Sequence, residues 1–322
     1  MSEGAAAMHI AFVGESLIDF TAAGELAFQG HVGGALANSA VAAARLGVPT
    51  GFVTQLSTDL FGERLLARLH DNGIDTRFVL RSEAPSTLAF VERTPASNRY
   101  AFYMQGTADT LWAPAELPVL PDSCRWLHFG SISLLHGPAA ARITEFVEAQ
   151  RGRRLVLFDP NARPSLIADA ADWRRRCGRW LAAADLVKMS DEDAQLLAPG
   201  RPLIDVAADC LRRGPRAVVI TRGGAGATLF RPGAAPLDVV PPPVAVADTI
   251  GAGDTFAAGL SAALLERGVD SADALAALPT ERWAEVLCFA AAAAALNCTR
   301  EGADPPQRAE VDALLAHRGA PT

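Results

Sequence analysis

From about residue 124 onward, short apolar runs alternate with amphipathic stretches, and this rhythm restricts the fold more than any other feature of the chain. Residues 126–129, 155–159, 186–189 and 217–221 have the length and composition of buried strands, and helical periodicity fills segments such as 139–150 and 204–213. Strands alternating with helices are joined by right-handed crossovers, so they pair in parallel and need helices on both faces. The predicted class is therefore α/β, with a mostly parallel central sheet between two helical layers. The N-terminal third continues the pattern. A strand at 9–13 precedes a helix opened by Gly33-Gly34 and closed by Gly47, with Pro49 beyond it. A strand at 51–55 and a helix at 61–72, ended by Gly73, follow.

Two regions break the rhythm. Residues 16–32 alternate loosely around Gly24 and Gly30, and runs at 86–92 and 99–103 flank a TPASN turn, so each region reads as a hairpin. Neither fits a parallel sheet. Paired with each other they would form a small β-sheet lid over one edge of the body. The expected division is a large α/β domain of residues 1–14, 34–84 and 111–322, and a lid of residues 15–33 and 85–110. There is no internal repeat, and the alanine enrichment reads as compositional bias.

Composition removes several function classes. Of 322 residues, 29 are basic and 36 acidic, a formal charge of −7 with no Lys/Arg run, which argues against sequence-independent binding to nucleic acid. An anionic ligand would have to be held by local positive potential, from helix N-termini and a few placed cations. The five cysteines lack CxxC spacing and the six histidines lack HxxxH or HExxH spacing, so neither a disulfide framework nor a zinc site is expected. No basic segment precedes the first apolar run, and the alanine-rich run at 289–296 is too short to span a bilayer. The expectation is a cytoplasmic protein with no membrane partner.

The segment VAVADTIGAGDTFAAGLSAALL, residues 244–265, carries the most chemistry. A strand-like run leads into Gly251-Ala252-Gly253-Asp254, and a helix continues to about Arg267, stopped by Gly268. Small residues at a helix start let backbone N–H groups close on an anion without a basic side chain. Asp254 stands directly inside that trap, where a carboxylate is costly unless it serves as a base for a hydroxyl attacking the anion. The competing reading is a glycine-rich turn with Asp254 satisfying the helix dipole, and spacing alone leaves both open. GxxxxGK[ST] is absent, and Phe256 occupies the last glycine position of a GxGxxG match. Earlier, Gly33-Gly34 with Asn38 one turn later suits polar hydroxyls, or equally an ordinary loop before an alanine-rich packing helix.

Together these segments resemble the ribokinase/PfkB family of carbohydrate kinases, over nearly the whole chain and in the family's order. GGALAN, STDLFGERLLARLHDNGID, FDPNARPSL, KMSDED, TRGGAGA, the signature DTIGAGDTFAAG and the tail NCTREGADPP carry the resemblance. It implies a ribokinase-like three-layer sandwich and ATP-dependent phosphorylation of a sugar hydroxyl. Asp254 would be the general base, and the amides of Gly251, Ala252 and Gly253 would stabilise the transferring phosphoryl group. Asp19, Gly33, Gly34, Asn38 and Arg163 would hold the sugar. Ser190, Thr221, Gly223, Gly224 and Gly226 would form the nucleotide side, with Asn297 bordering the adenine. Asp193, where the family usually has Glu, would meet Mg²⁺ through water; Asp248 and the Ile250 carbonyl match a monovalent-cation (K⁺) loop of some members. The motifs are most similar to the bacterial fructokinase-like branch, with 2-keto-3-deoxygluconate kinase the nearest alternative and ribokinase further off. The resemblance also admits a homodimer through the lid. A non-catalytic sugar- or nucleotide-binding regulator is the reading from another class, and an intact Asp254 beside Gly251–Gly253 argues against it.

Overall fold

The computed structural model describes residues 7–93 and 98–319. Residues 1–6, read above for a leader, and 94–97, inside the TPASN turn, lie outside the described residues. The chain begins with β1 (Ile10–Val13), β2 (Leu17–Ala22), β3 (Phe28–Gly33), α1 (Ala35–Arg45), β4 (Thr50–Ser57), α2 (Leu60–Asp71) and β5 (Asp75–Ser82). It continues through β6 (Leu88–Arg93), β7 (Asn98–Tyr103), β8 (Trp126–Gly130), α3 (Gly137–Gln150), β9 (Leu155–Asp159), α4 (Ala170–Ala183) and β10 (Leu186–Ser190). Then come α5 (Asp191–Leu197), α6 (Leu203–Leu211), β11 (Ala217–Thr221), β12 (Ala227–Phe230) and β13 (Leu237–Val239). The chain closes with α7 (Ala252–Glu266), α8 (Ala272–Ala277), α9 (Thr280–Asn297) and α10 (Arg308–Gly319).

Nine strands form the main sheet in the order β13-β12-β11-β10-β9-β8-β1-β4-β5. All pairings from β5 to β11 are parallel, while β12 and β13 extend the far edge antiparallel. Side chains of a strand alternate between faces, and both faces here are core. Ile10 and Phe12 pack with α1, α2, α7 and α9, whereas Ala11 and Val13 pack with α3, α4 and α6. Because β1 lies between β8 and β4, the chain runs outward on one side to β5, then returns to build the other. Open parallel sheets bind ligands at such a reversal, outside the carboxyl ends of the strands.

Two local expectations need correction, and one strand was not anticipated. Residues 75–82, DTRFVLRS, form the edge strand β5, whose half-exposed position removes the continuous apolar run that marks a central strand. Residues 244–250 form no strand. Their backbone is satisfied instead by side chains and by the α9 terminus: Asp248 accepts Ile250 N–H, Asn297 donates to the Ile250 carbonyl, and the Cys298 carbonyl accepts from Ala247 and Asp248. The alanine run is a packing seam. Ala290, Ala292 and Ala293 are fully buried on α9, and a Cβ on Gly259 of α7 would lie 2.8 Å from the Ala290 Cα.

A separate four-stranded sheet has the order β3-β2-β6-β7, with β2 and β6 parallel between two antiparallel partners. One of its faces rests on the body through Leu17 and Ala89, packed with Met104 and Ile132. The other carries an aromatic ladder, Phe20 stacked on Phe90 at 5.0 Å with Phe28 and Tyr103 edge-on to Phe90, and it meets α2 where Phe20 packs edge-on against Phe61.

The α7–α9 seam leaves no room for a side chain at residue 259. Gly259→Val should therefore destabilise the protein by about 1–3 kcal/mol, the usual cost of overpacking a dense interior, read as a lower urea-unfolding midpoint.

Candidate active site

The loops after the carboxyl ends of β1, β9, β10 and β11 supply Glu15, Asn161 with Arg163, Ser190 with Asp193, and Thr221 to Gly226. Against this edge α7 presents its N-terminus. The Asp254 carboxylate is buried there, gripped from two directions: Asn38 Nδ2 donates to Oδ2 at 3.0 Å, and Asn161 Nδ2 donates to Oδ1 at 3.2 Å. Ser39 Oγ donates to the Asp254 carbonyl, so α1 fixes both ends of this residue. Burial pushes the Asp254 carboxyl up from its ordinary range, against the pull of the Asn38 bond and the fields of Lys188 and Arg163. A carboxylate raised in this way is a stronger base.

Asn161 has a left-handed backbone, φ 36°, that a non-glycine residue adopts only when its surroundings impose it. Asp159 Oδ1 accepts its N–H at 3.2 Å, and Arg163 Nη1 donates to its side-chain oxygen at 2.6 Å. Arg163 thus orients the amide that faces Asp254. Asp19 belongs to the same neighbourhood. Burial raises its carboxyl to about 6, with Arg163 opposing the rise and Asp254 adding to it. A Cβ on Gly33 would stand 2.0 Å from Asp19 Oδ2, so glycine at 33 is what leaves room for that carboxylate.

At the start of α7, Gly251 caps the helix in the left-handed conformation, φ 76°. A Cβ there would be 2.8 Å from the Ala303 side chain. Among the described residues no backbone acceptor takes the N–H of Gly251 or Gly253, so both are available to an anion. Ala252 differs from expectation: its N–H closes a turn on the Thr249 carbonyl at 3.2 Å. Lys188 was given no role above, yet its ammonium lies 3.1 Å from where a Gly253 Cβ would be. It is buried and donates to Asp159 Oδ2 at 2.9 Å. Burial pulls the Lys188 ammonium down, but Asp159, Asp193 and Asp254 together hold it above its usual range, firmly charged.

Among the residues expected on the nucleotide side, Ser190 caps α5 and exchanges bonds with Asp193 in a capping box. The second Asp193 oxygen accepts Ala162 N–H at 2.8 Å, which ties the β10 loop to the β9 loop. Gly223 and Gly224 form an exposed turn, Thr221 donates to the Met189 carbonyl, and Gly226 lies against the Val239 carbonyl, where a Cβ would be 1.9 Å away. Asn297 has no exposed surface. Instead of bordering an open pocket it donates to the Ile250 carbonyl at 2.7 Å and accepts from Thr255. Asp248 likewise staples the loop to the tail, accepting Ile250 N–H and Gly302 N–H.

The model of the pfkB family of carbohydrate kinases matches residues 7–310. The chain belongs to that family. It is 39% identical to a fructokinase of Rhizobium leguminosarum bv. trifolii over 78% of each chain. It is 33% identical to a fructokinase of Klebsiella pneumoniae over 90% of this chain and 93% of the relative. Among solved structures, fructokinase with bound ATP from Xylella fastidiosa superposes with a TM-score of 0.86 at 28% identity, covering 97% and 99% of the two chains. Aminoimidazole riboside kinase from Salmonella enterica, complexed with aminoimidazole riboside and an ATP analogue, gives 0.80 at 26%, covering 95% and 100%.

Within this kinase the two residues that gained a role, Asn161 and Lys188, stand inside motifs already visible as FDPNARPSL and KMSDED. The motifs flagged the segments, but the partners across them come from other strands. Removing one member of a buried ion pair costs about 3–5 kcal/mol, because the other charge is left uncompensated. Lys188→Met should therefore lower the unfolding midpoint sharply, and adding Asp159→Asn should restore much of the stability without restoring phosphoryl transfer, measured by urea titration alongside coupled ADP release.

Proposed function

We propose that this kinase phosphorylates D-fructose with ATP, giving fructose 6-phosphate, with Asp254 as general base. The observation that carries the reading is the buried Asp254 carboxylate, held by two amide side chains next to the open N–H groups of Gly251 and Gly253. The relatives named fructokinase, and the ATP-bound fructokinase of Xylella fastidiosa, support the substrates. A binding protein would have no use for a base of raised pKa beside an anion trap.

Asp254 takes the proton of the attacking sugar hydroxyl, while Asn38 and Asn161 keep its two oxygens aimed. Asp19 and Arg163, with the backbone at Gly33 and Gly34, orient the remaining hydroxyls. The N–H groups of Gly251 and Gly253 and the Lys188 ammonium meet the negative charge that spreads over the transferring group. ATP supplies that group, and its polyphosphate lies towards Gly223 and Gly224. Among the described residues no cluster of three or more acidic, His or Cys side chains is placed to hold a metal. Mg²⁺ would accordingly be carried mainly by phosphate oxygens, reaching Asp193 through water, which suits its preference for a partly hydrated shell. K⁺ would sit at Asp248 and the Ile250 carbonyl, a loop whose oxygens already accept amide hydrogens.

The four-stranded sheet, residues 15–33 and 85–110 with its crossings, acts as a lid that excludes water from the sugar. Its outward aromatic ladder leaves Phe28 40% and Tyr103 63% exposed, an apolar face that a second copy of the chain would cover. No helix among the described residues is long and apolar enough to cross a membrane, and the cysteines are free. Free thiols and the use of ATP support a cytoplasmic location for it.

Asp254→Asn keeps size and polarity but removes the base, so kcat should fall about 10²–10⁴-fold with little change in sugar affinity. Near-normal turnover would refute the assignment. In the wild type, the acid limb of kcat should lie above the ordinary aspartate range, because Asp254 must lose its proton and burial opposes that loss. Coupled ADP release should give D-fructose a higher kcat/KM than ribose, adenosine or 2-keto-3-deoxygluconate; a preference for another sugar would change the substrate and leave the family assignment intact.

A further inference from the structure

A cavity of about 710 Å³ opens where the aromatic face of the lid meets the body, with β2 and β3 on one side and α1 and α2 on the other. Its apolar lining includes Ile18, Phe20 and Phe61, the two phenylalanines edge to face at 5.7 Å. Side chains alternate along β2, so Ile18 and Phe20 point away from the face that carries Asp19. None of the residues assigned above to the sugar, the phosphoryl group or the nucleotide lines this cavity.

Three arginines line it, in a chain whose net charge is −7: Arg45 at the end of α1, and Arg64 and Arg68 about one turn apart on α2. Arg45 is already engaged. It donates to Asn72 Oδ1 at 2.9 Å and to the Pro305 carbonyl at 2.7 Å, and it pairs with Asp304 at 2.5 Å. The other two are not. Among the described residues, half-buried Arg68 donates only to the neutral Ala303 carbonyl, at 2.7 Å, and the Arg64 side chain has neither a hydrogen bond nor an ion pair. Asp71 is the one carboxylate among the lining residues, and it too is in no ion pair there. Burial and the neighbouring Arg45 charge together lower the Arg68 guanidinium from its ordinary range, against the pull of Asp304. Two cations without a counter-ion, set beside an apolar wall, make a site short of negative charge.

We propose that this cavity is a regulatory site for a small phosphorylated metabolite, a phosphate monoester whose phosphate pairs with Arg64 and Arg68 and whose carbon skeleton lies on Phe20 and Phe61. Guanidinium forks match phosphate oxygens two at a time, and a dianion balances two unpaired cations. Free phosphate would fill a small part of the volume and leave the aromatic wall uncovered. The ligand touches lid and body at once, as the sugar does through Asp19 on β2 and Asn38 on α1. Two ligands that favour the same lid position strengthen each other's binding by the same factor. That coupling rests on the reading of the lid and the sugar site given above, whereas the binding itself does not.

The probe is glucose 6-phosphate, with glucose and inorganic phosphate as controls. Titration calorimetry of the wild type should show binding of glucose 6-phosphate, tighter than that of inorganic phosphate and absent for glucose. Because the Arg64 side chain holds nothing else, Arg64→Gln should keep the unfolding midpoint, kcat and KM measured without the probe. It should weaken glucose 6-phosphate about ten- to hundredfold, the worth of a charge-assisted hydrogen bond. Arg68 is the poorer choice, since it also holds the Ala303 carbonyl. Hydrogen exchange should show protection gained in α2 and in β2–β3, and not at the start of α7. In the wild type, saturating glucose 6-phosphate should lower the KM for D-fructose about fivefold with a smaller change in kcat, and Arg64→Gln should lose that effect.

No binding, binding that Arg64→Gln leaves intact, or competition of glucose 6-phosphate with D-fructose or ATP would each overturn the proposal. Inorganic phosphate binding as tightly as the ester would overturn the role of the aromatic wall, and binding without a change in KM would overturn the regulatory role. Failure of the substrate reading looks different, as absent turnover of D-fructose with calorimetry and exchange unchanged.

Discussion

One buried ammonium makes the rest of the site possible. Lys188 stands among Asp159, Asp193 and Asp254, contributed by the end of β9, the start of α5 and the start of α7. Three carboxylates converging in a dry region would repel one another and draw protons, and the buried ammonium in their midst, with Arg163 also acting on Asp254, counters this. Its contact with Asp159 also joins neighbouring parallel strands by a bond other than the ladder itself. Gly253, with no side chain, leaves the same ammonium next to the amides where an anion would lie, so a structural counter-charge and a ligand-facing charge are one group. In a chain of net charge −7, local positive potential of this kind is what an anionic substrate requires.

The Asp254 carboxylate depends on the topology in a different way. Its two amide partners come from α1, which follows the lid strand β3, and from the loop after β9, on the other side of β1 in the sheet. Both halves of the fold therefore meet at Asp254, and neither could fix it alone. The strained backbone of Asn161 is a consequence: the loop must turn sharply to bring an amide to Asp254 while its oxygen stays on Arg163. Glycine at 33 has a comparable purpose, since any larger residue would displace Asp19.

The small sheet reverses the usual pattern for a surface sheet. One face brings Asp19 within the field of Arg163 and Asp254, and the other carries Phe20, Phe28, Phe90 and Tyr103, with Phe20 also packed edge-on against Phe61 of α2. An ordinary half-exposed sheet puts polar residues outward. Here the carboxylate Asp19 faces the body, while Phe28 and Tyr103 of the aromatic ladder stand exposed.

Periodicity determined the α/β class, because alternation of two and 3.6 residues is a local property that survives in any fold containing it. The ends of α1 and α2 were legible for the same reason, through glycine stops at Gly47 and Gly73. The segment around Asp254, Gly251 and Gly253 was legible as a glycine-rich helix start carrying a carboxylate, and spacing alone left open whether Asp254 serves as a base or satisfies the helix dipole. Only the tertiary structure decided who the partners are. Asn38 lies 216 positions from Asp254 and Asn161 lies 93, separations that no local pattern encodes. Tertiary packing also turned the alanine run into the α7–α9 seam, closed the Ala252 amide on Thr249, and withdrew Asn297 from solvent to hold the Ile250 loop. The edge strand β5 escaped notice because an edge position relaxes the demand for apolar residues. Residue type sets which chemistry a side chain can perform, but burial and neighbouring charge set which of it is used, and both are properties of the folded chain.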